Sequence, residues 1–187
     1  MSALRTFIAL SAPPTVQQTI AEVQIKLKEV QADVQWEPKD KFHITLIFLG
    51  NIEQSKFELL SAALAKSFQQ FRSFAISYES IGAFPNIRNP RVVWMGIQSN
   101  QMILDLQAAA GQICLEFGFP LDDRMFHPHI TLGRVKEARH VPRLTEAIKT
   151  VTFEPIEMHC SEIVFMKSEL RPSGSIYTIL KSFPLHT

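Results

Sequence analysis

Apolar and polar residues alternate in short stretches of this chain, and between those stretches apolar residues recur every three or four positions. The alternation predicts β-strands at residues 4–11, 41–49 and 74–81. The helical spacing predicts α-helices at residues 16–30 and 57–68. The expected apolar positions of the first helix are Ile20, Val23, Ile25, Leu27 and Val30. The first half is therefore read as strand, helix, strand, helix, strand, with a turn at Gly50 and Asn51.

The second half of the chain repeats this order. Its strands are predicted at 91–97, 126–135 and from about 153, and its helices at 102–117 and 141–148. Phe7 in the first opening strand precedes His43 by 36 residues, and Val93 in the second precedes His129 by the same number. This agreement indicates an internal duplication.

Two further apolar strands are predicted at 163–166 and 176–183, and this closing hairpin has no counterpart in the first half. The residues of its expected turn are Arg171, Pro172, Ser173 and Gly174. The pattern as a whole predicts an α+β fold in one domain, residues 1–187, made of two pseudo-symmetric lobes. Two antiparallel sheets would face a central cleft and carry helices on their outer faces.

The tetrapeptide His-Ile-Thr-Leu occurs twice, at 43–46 and 129–132, in equivalent places of the two halves. Side chains alternate along a strand, so each histidine shares a face with its threonine while the isoleucine and leucine point toward the helices. If the halves face each other, the cleft presents two imidazoles and two hydroxyls in a pseudo-symmetric array.

That array suits cleavage of a phosphodiester without a metal or another cofactor. One histidine takes a proton from the nucleophile and the other gives one to the departing oxygen, since an ordinary imidazole pKa of about 6.5 permits both near neutrality. The hydroxyls of Thr45 and Thr131 can donate hydrogen bonds to the non-bridging oxygens as charge develops. His43 and His129 are therefore the candidate catalytic residues.

Three other interpretations of these motifs compete with catalysis. Two copies of the tetrapeptide could be retained for packing of the repeats alone. Two histidines could bind zinc, but no carboxylate or cysteine shares the histidine face on either strand, so no metal is predicted. His127 gives an HPHIT segment similar to nucleotide-binding histidine triads, but those require a histidine where Thr131 stands. His127 is expected to support the entrance of the strand.

Composition narrows the function classes. The chain has 187 residues, 46% of them hydrophobic, and a net charge of +1. Such a charge does not supply a broad basic face for a duplex, so a small or terminal phosphate ligand is expected. The absence of a signal-peptide pattern and of a long apolar run predicts a cytoplasmic, membrane-free protein, with Cys114 and Cys160 as buried reduced thiols. A monomer is the default expectation.

The motifs resemble those of the two-histidine (2H) phosphoesterase superfamily, within it the RNA 2′,3′-cyclic phosphodiesterases, also called 2′-5′ RNA ligases. The resemblance covers nearly the whole chain. The matching segments are RTFIAL, FHITLIFLG, GAFP, PRVVW and HPHITLGR, followed by Ser168, Leu170, Gly174 and Tyr177.

This resemblance implies a bilobal α+β fold and opening of a terminal 2′,3′-cyclic phosphate of RNA to leave a 2′-phosphate. By the same resemblance His129 is the base and His43 the acid, with Thr45 and Thr131 as substrate ligands. Arg134 would contact phosphate or base if the strand bends, because its parity is otherwise off the histidine face; a plain surface arginine is the alternative. Phe48 and Trp94 would stack on a nucleobase or pack in the core.

Two other functions remain as alternatives. The same machinery would serve a small cyclic nucleotide, a 2′,5′-linked oligonucleotide or reversible 2′-5′ joining of RNA. A non-catalytic module that binds RNA ends is the alternative of a different class, although both histidines are intact.

Overall fold

A computed structural model describes residues 3–137, 139–172 and 174–187 of the chain. The strands of this part are β1 (Ala3–Ser11), β2 (Val34–Trp36), β3 (His43–Glu53), β4 (Phe74–Phe84), β5 (Val92–Ile97), β6 (His129–Val135), β7 (Ile156–Cys160), β8 (Glu162–Arg171) and β9 (Gly174–Pro184). The α-helices are α1 (Pro14–Lys28), α2 (Gln54–Phe68), α3 (Gln101–Glu116) and α4 (Val141–Thr150), and a 3₁₀ turn spans Lys39–Lys41.

The order of helices and strands follows the sequence prediction, with two differences. The turn expected at Gly50 and Asn51 is wrong, because β3 continues through both residues to Glu53. Gly50 adopts φ +69°, a left-handed conformation that glycine tolerates inside the strand. The short strand β2 was not predicted, since three residues carry too little pattern to be recognised. Of the predicted closing turn, Ser173 lies outside the described residues.

The described strands form one curled antiparallel sheet in the order β7-β4-β5-β6-β3-β1-β8-β9, with β2 on β6. The α+β prediction is confirmed. The two predicted sheets are joined where β3 meets β6, through the antiparallel pair of Ile44 with Ile130. The lobe on one side of this junction contains β7, β4, β5, β6 and β2, and the lobe on the other contains β3, β1, β8 and β9.

The lobes do not coincide with the two halves of the sequence, and here the simple picture of facing halves is corrected. Strand β4 of the first half pairs with β5 and β7 of the second. The closing hairpin in turn lies beside β1. Each lobe therefore contains strands from both halves of the chain, and the two halves are interlocked.

The helices cover the outer side of the sheet. Helix α2 packs on α3, and α1 packs on α4 and β7. Ile44, Ile130 and Leu132 are fully buried beneath them, as the strand alternation predicts. On α1 the buried positions are Val16, Ile20, Val23, Gln24 and Leu27. Ile25, assigned to the apolar face from the sequence, is instead 54% exposed.

Candidate active site

The side of the sheet opposite the helices carries an open cavity of about 380 Å³ at the junction of the lobes. All five predicted site residues line it. The lining residues are Arg5, Phe7, Glu37, Lys41, His43, Thr45, Phe48, His129, Thr131, Arg134, Ser168, Leu170, Ser175 and Tyr177. The structure therefore brings both motifs into one site.

The junction of β3 and β6 determines how the two motifs face each other. The strands run antiparallel through Ile44 and Ile130. His43 therefore lies toward Thr131, and Thr45 toward His129. The two histidines therefore lie diagonally across the junction, each opposite the threonine of the other motif along the backbone.

A β-bulge follows the motif in each strand. In β3, Thr45 pairs with Ala9 and Ile47 with Ile8, which leaves Leu46 as the extra residue. Phe48 consequently returns to the histidine face and lines the cavity.

The second bulge settles the parity of Arg134. In β6, Thr131 pairs with Trp94 and Gly133 with Val93, so Leu132 is the extra residue. This bend turns Arg134 into the cavity, where the side chain remains 56% exposed. Phe48 and Arg134 occupy equivalent positions in the two motifs.

Both histidines are oriented by the backbone two residues before them. Nδ1 of His43 lies 2.7 Å from the carbonyl oxygen of Lys41, and Nδ1 of His129 lies 2.6 Å from that of His127. A carbonyl oxygen only accepts hydrogen bonds, so each Nδ1 carries the proton and donates. Nε2 of each neutral ring is left as the proton acceptor.

Burial depresses the pKa of both imidazoles. The pKa of His43 falls to about 4, chiefly because burial disfavours the cation; the bond to the Lys41 carbonyl acts in the opposite direction, and repulsion from His129 and Arg134 lowers the pKa further. The pKa of His129 is also lowered, first by burial and then by His127 and Arg134, against the bond to the His127 carbonyl. Both rings are neutral near pH 7, which corrects the ordinary pKa assumed from the sequence.

Aromatic rings surround each imidazole and explain this desolvation. Phe7 and Tyr177 have ring centroids 4.9 Å and 5.2 Å from that of His43. On the other side, the ring centroid of Phe84 lies 5.0 Å from that of His129. Each histidine therefore has one polar edge on the cleft and apolar neighbours around it.

Trp94 packs near His129, with the ring of His127 closer to it. Its ring centroid lies 4.6 Å from that of His127 and 6.2 Å from that of His129, and it is not among the cavity-lining residues. A Cβ on Gly82 or Gly96 would lie 2.2 Å or 2.7 Å from the indole. The indole of Trp94 is half-buried, and Gly82 of the GAFP segment makes room for it.

Phe48 lies at the cavity and not in the core. Its side chain is 52% exposed at the cavity, so core packing is wrong for this residue. The guanidinium of Arg5 lies 4.8 Å from its ring centroid. Arg5 was missed, although its parity on β1 matches that of Phe7 and would have placed it on the same face.

The remaining polar residues of the cavity were also missed. Lys41 precedes the first motif, and Ser168 and Tyr177 were noted only as part of the family pattern. Glu37 follows the unpredicted strand β2, so the sequence offered no signal for it. Its carboxylate lies 3.9 Å from Nε of Arg134, which gives the cavity one negative group among several positive ones.

Metal ligands, thiols and membrane-spanning helices are the remaining features that bear on function. Across residues 3–137, 139–172 and 174–187, no three His, Cys, Asp or Glu side chains are grouped as metal ligands. Cys114 and Cys160 are buried and unbridged, as predicted, and burial raises the pKa of each thiol to about 12. In the same part of the chain, no helix is long and apolar enough to cross a bilayer.

Comparison with known proteins identifies the family. A model described as the 2′-5′ RNA ligase superfamily matches residues 12–172. The chain belongs to this superfamily. The resemblance drawn from the motifs is thereby confirmed.

Relatives in the 2′-5′ RNA ligase superfamily match over nearly their full length. The RNA 2′,3′-cyclic phosphodiesterase of Methanothermobacter thermautotrophicus is 32% identical over 183 residues, which cover 97% of this chain and 99% of the relative. That of Archaeoglobus fulgidus is 31% identical, covering 96% and 99%. The structure of Escherichia coli LigT complexed with 3′-AMP superposes with a TM-score of 0.80 and 26% identity over the whole of both chains.

Proposed function

We propose that this protein hydrolyses 2′,3′-cyclic phosphate ends of RNA to 2′-phosphomonoesters without a metal ion. The observation that carries the proposal is the placement of both His-x-Thr pairs on one cavity with a free Nε2 on each ring. The relatives named RNA 2′,3′-cyclic phosphodiesterase support the choice of substrate.

In the proposed reaction, Nε2 of His129 accepts a proton from water as the water oxygen attacks phosphorus. The bond from phosphorus to the 3′-oxygen breaks, and His43 gives that oxygen a proton. The products are a 3′-hydroxyl and a 2′-phosphate, so the elements of one water molecule are accounted for. Each positioned proton transfer contributes about 10²- to 10⁴-fold to the rate.

The remaining polar groups stabilise the phosphate. The hydroxyls of Thr45 and Thr131 lie on the same face as the imidazoles and donate to the non-bridging oxygens. Arg134 offers a planar cation suited to a phosphate oxygen pair. Because groups from both motifs converge on one phosphorus, loss of either motif is expected to disable the site.

The lowered pKa values define a requirement of this mechanism. His43 has a pKa of about 4 in the empty cleft and must carry a proton to act as the acid. A phosphodiester brings one negative charge next to the ring, and an adjacent anion favours the imidazolium. We infer that His43 takes up its proton together with the substrate.

The cavity accommodates a terminal nucleotide. Its volume of about 380 Å³ is at the lower end of the range for small-molecule sites, and the exposed Phe48 ring offers a stacking surface for a nucleobase. A cyclic nucleotide or an RNA end meets both conditions.

We propose that the enzyme is a monomer and acts in the cytoplasm. Light scattering after gel filtration tests whether it is a monomer.

The deciding experiment follows hydrolysis of 2′,3′-cyclic AMP and of a short RNA with a cyclic phosphate end, in EDTA. Wild type is expected to form the 2′-phosphate, and His43→Ala and His129→Ala to lose that activity while remaining folded. Binding of the RNA without product would favour the binding module. A higher kcat/KM on 2′,5′-linked RNA would identify a different substrate for the same machinery.

A further inference from the structure

Gln24 is a buried polar residue that the proposed mechanism does not use. It lies on the face of α1 that packs on the sheet, at 2% exposure. Glutamine is mostly found at the surface, and burial of an amide is favourable only when its donors are paired. The position therefore calls for an explanation beyond packing of α1.

The amide nitrogen of Gln24 is shared between two backbone carbonyls. Nε2 donates to the carbonyl oxygen of Glu37 and to that of Leu132, each at 2.8 Å. The backbone N–H of Glu37 also donates to the Leu132 carbonyl, at 2.9 Å. One side chain from α1 thus ties the end of β2 to a point inside β6.

That point is the β-bulge of β6. Leu132 is the extra residue that lies between Thr131 and Gly133, and the bend it introduces turns Arg134 into the cavity. A bulge leaves backbone groups outside the regular ladder, which need other partners when buried. Gln24 and Glu37 supply those partners for the Leu132 carbonyl.

The second carbonyl leads to the same guanidinium. Glu37 lines the cavity with a carboxylate 3.9 Å from Nε of Arg134, and its backbone is held by Gln24. The orientation of Arg134 therefore depends on Gln24 by two routes, one through the bulge and one through Glu37.

We propose that Gln24 is a positioning residue for substrate phosphate binding, which acts by holding the β6 bulge and Glu37 so that Arg134 faces the cleft. It touches no substrate itself. The kinetic part of this inference rests on the proposed cyclic phosphodiesterase function, whereas its binding part requires only that the cleft binds phosphate.

The test is a double-mutant cycle between Gln24 and Arg134. Gln24→Met removes the donors at similar volume, and Arg134→Met removes the guanidinium. Gln24→Met is expected to raise KM for 2′,3′-cyclic AMP about 10-fold with kcat changed less than about 3-fold, and to leave KM unchanged in the Arg134→Met background. Gln18→Met, on the exposed side of the same helix, is the matched control with unchanged KM.

A purely structural role gives a different pattern. Gln24→Met would then lower the free energy of unfolding and reduce activity by the same factor with and without Arg134, which would overturn the proposal. If Gln24→Met does not fold, Gln24→Leu removes the same donors with another apolar side chain, and an unchanged KM in that variant would equally contradict the proposal.

Binding of inorganic phosphate, measured by calorimetry, separates this inference from the proposed function. If the wild-type protein binds phosphate but leaves 2′,3′-cyclic AMP intact, the proposed function is contradicted and the positioning role of Gln24 is not. In that case, the positioning role is supported by two results. Gln24→Met binds phosphate about 10-fold more weakly than wild type, and Gln24→Met/Arg134→Met binds it no more weakly than Arg134→Met. Equal affinity of Gln24→Met and wild type contradicts it.

Discussion

Phe48 and Arg134 occupy the same position in the two motifs, and a β-bulge turns each of them onto the catalytic face. One is an exposed aromatic ring and the other a guanidinium. The histidines and threonines are repeated, whereas this position is not. The cavity therefore has a symmetric centre and unlike flanks, and under the proposed function this difference would give a bound nucleotide a preferred direction.

The first prediction concerns the repeated hydroxyls. Thr45→Val and Thr131→Val keep the shape and the β-branching, so the fold is expected to persist. Each change removes one donor to the phosphate and is expected to lower kcat roughly 10²-fold. Steady-state kinetics with 2′,3′-cyclic AMP measure this, with Thr178→Val on the exposed side of β9 as control. Full activity in either cleft variant would exclude its threonine from the transition state.

The second prediction concerns the aromatic flank. Phe48→Ala is expected to raise KM for 2′,3′-cyclic AMP about 10-fold, because stacking on an aromatic ring is worth about 1–3 kcal/mol per base. Phe48→Tyr keeps the ring and should preserve KM. An abasic ribose 2′,3′-cyclic phosphate should show the same KM with wild type and Phe48→Ala. An equal rise for both substrates would mean that Phe48 contacts no base.

The third prediction concerns stability against pH. The pKa of His43 is about 4 in the fold, whereas an imidazole in the unfolded chain has a pKa of about 6.5. Below pH 6.5 the unfolded chain binds a proton that the fold does not, so stability present above that pH is lost as the pH falls toward 4. This difference in pKa alone corresponds to a loss of about 3 kcal/mol in the free energy of unfolding.

Denaturant unfolding between pH 4 and 7 measures that loss. His43→Gln is expected to lose less stability on acidification than wild type, by up to about 3 kcal/mol. His159→Gln, at an exposed position of β7, should follow the wild-type curve. Parallel curves for wild type and His43→Gln would show that burial of His43 is not coupled to folding in this way.

The fourth prediction concerns the support of His129. A Cβ at Gly82 would lie 2.2 Å from the Trp94 ring, so Gly82→Ala must displace the indole that packs beneath the histidine. Overpacking of this kind costs about 1–3 kcal/mol. We expect a lower melting temperature and reduced kcat together, in assays of both.

Gly111→Ala provides the contrast. There the nearest atom to the added Cβ is the end of the flexible Leu121 side chain, and the site is inside α3. Activity should be unchanged, and stability unchanged or higher because alanine favours a helix. Equal loss in Gly82→Ala and Gly111→Ala would show that Trp94 is not what limits the first variant.

The long elements could be predicted from the sequence because they rest on local periodicity, and the meeting of the two His-x-Thr pairs at one cavity could be predicted from the repeated tetrapeptide. Interlocking of the halves was not predicted, because the duplication suggested a separate sheet for each half, whereas β4 pairs with the next strand, β5, across the boundary between the halves. The bulges that place Phe48 and Arg134 were also beyond reach, because a single unpaired residue leaves no mark on the alternation.

Buried polar residues were also not predicted from the sequence. Gln24 occupies a core position of α1 where the sequence suggested Ile25, since a polar residue at helical spacing is normally assigned to the exposed face. Glu37 depended on β2, which is three residues long. The lowered pKa of His43 required the neighbouring rings of Phe7 and Tyr177, which come from separate parts of the chain.

The pairing of Ile44 with Ile130 has a consequence for how this enzyme can change. His43 and His129 are each the immediate neighbour of one member of that pair, so the spacing between their backbones is set by main-chain geometry common to all antiparallel sheets. Loops around the cleft take no part in it. Insertions and replacements in those loops can therefore change the entrance of the cavity while the two histidines stay in register.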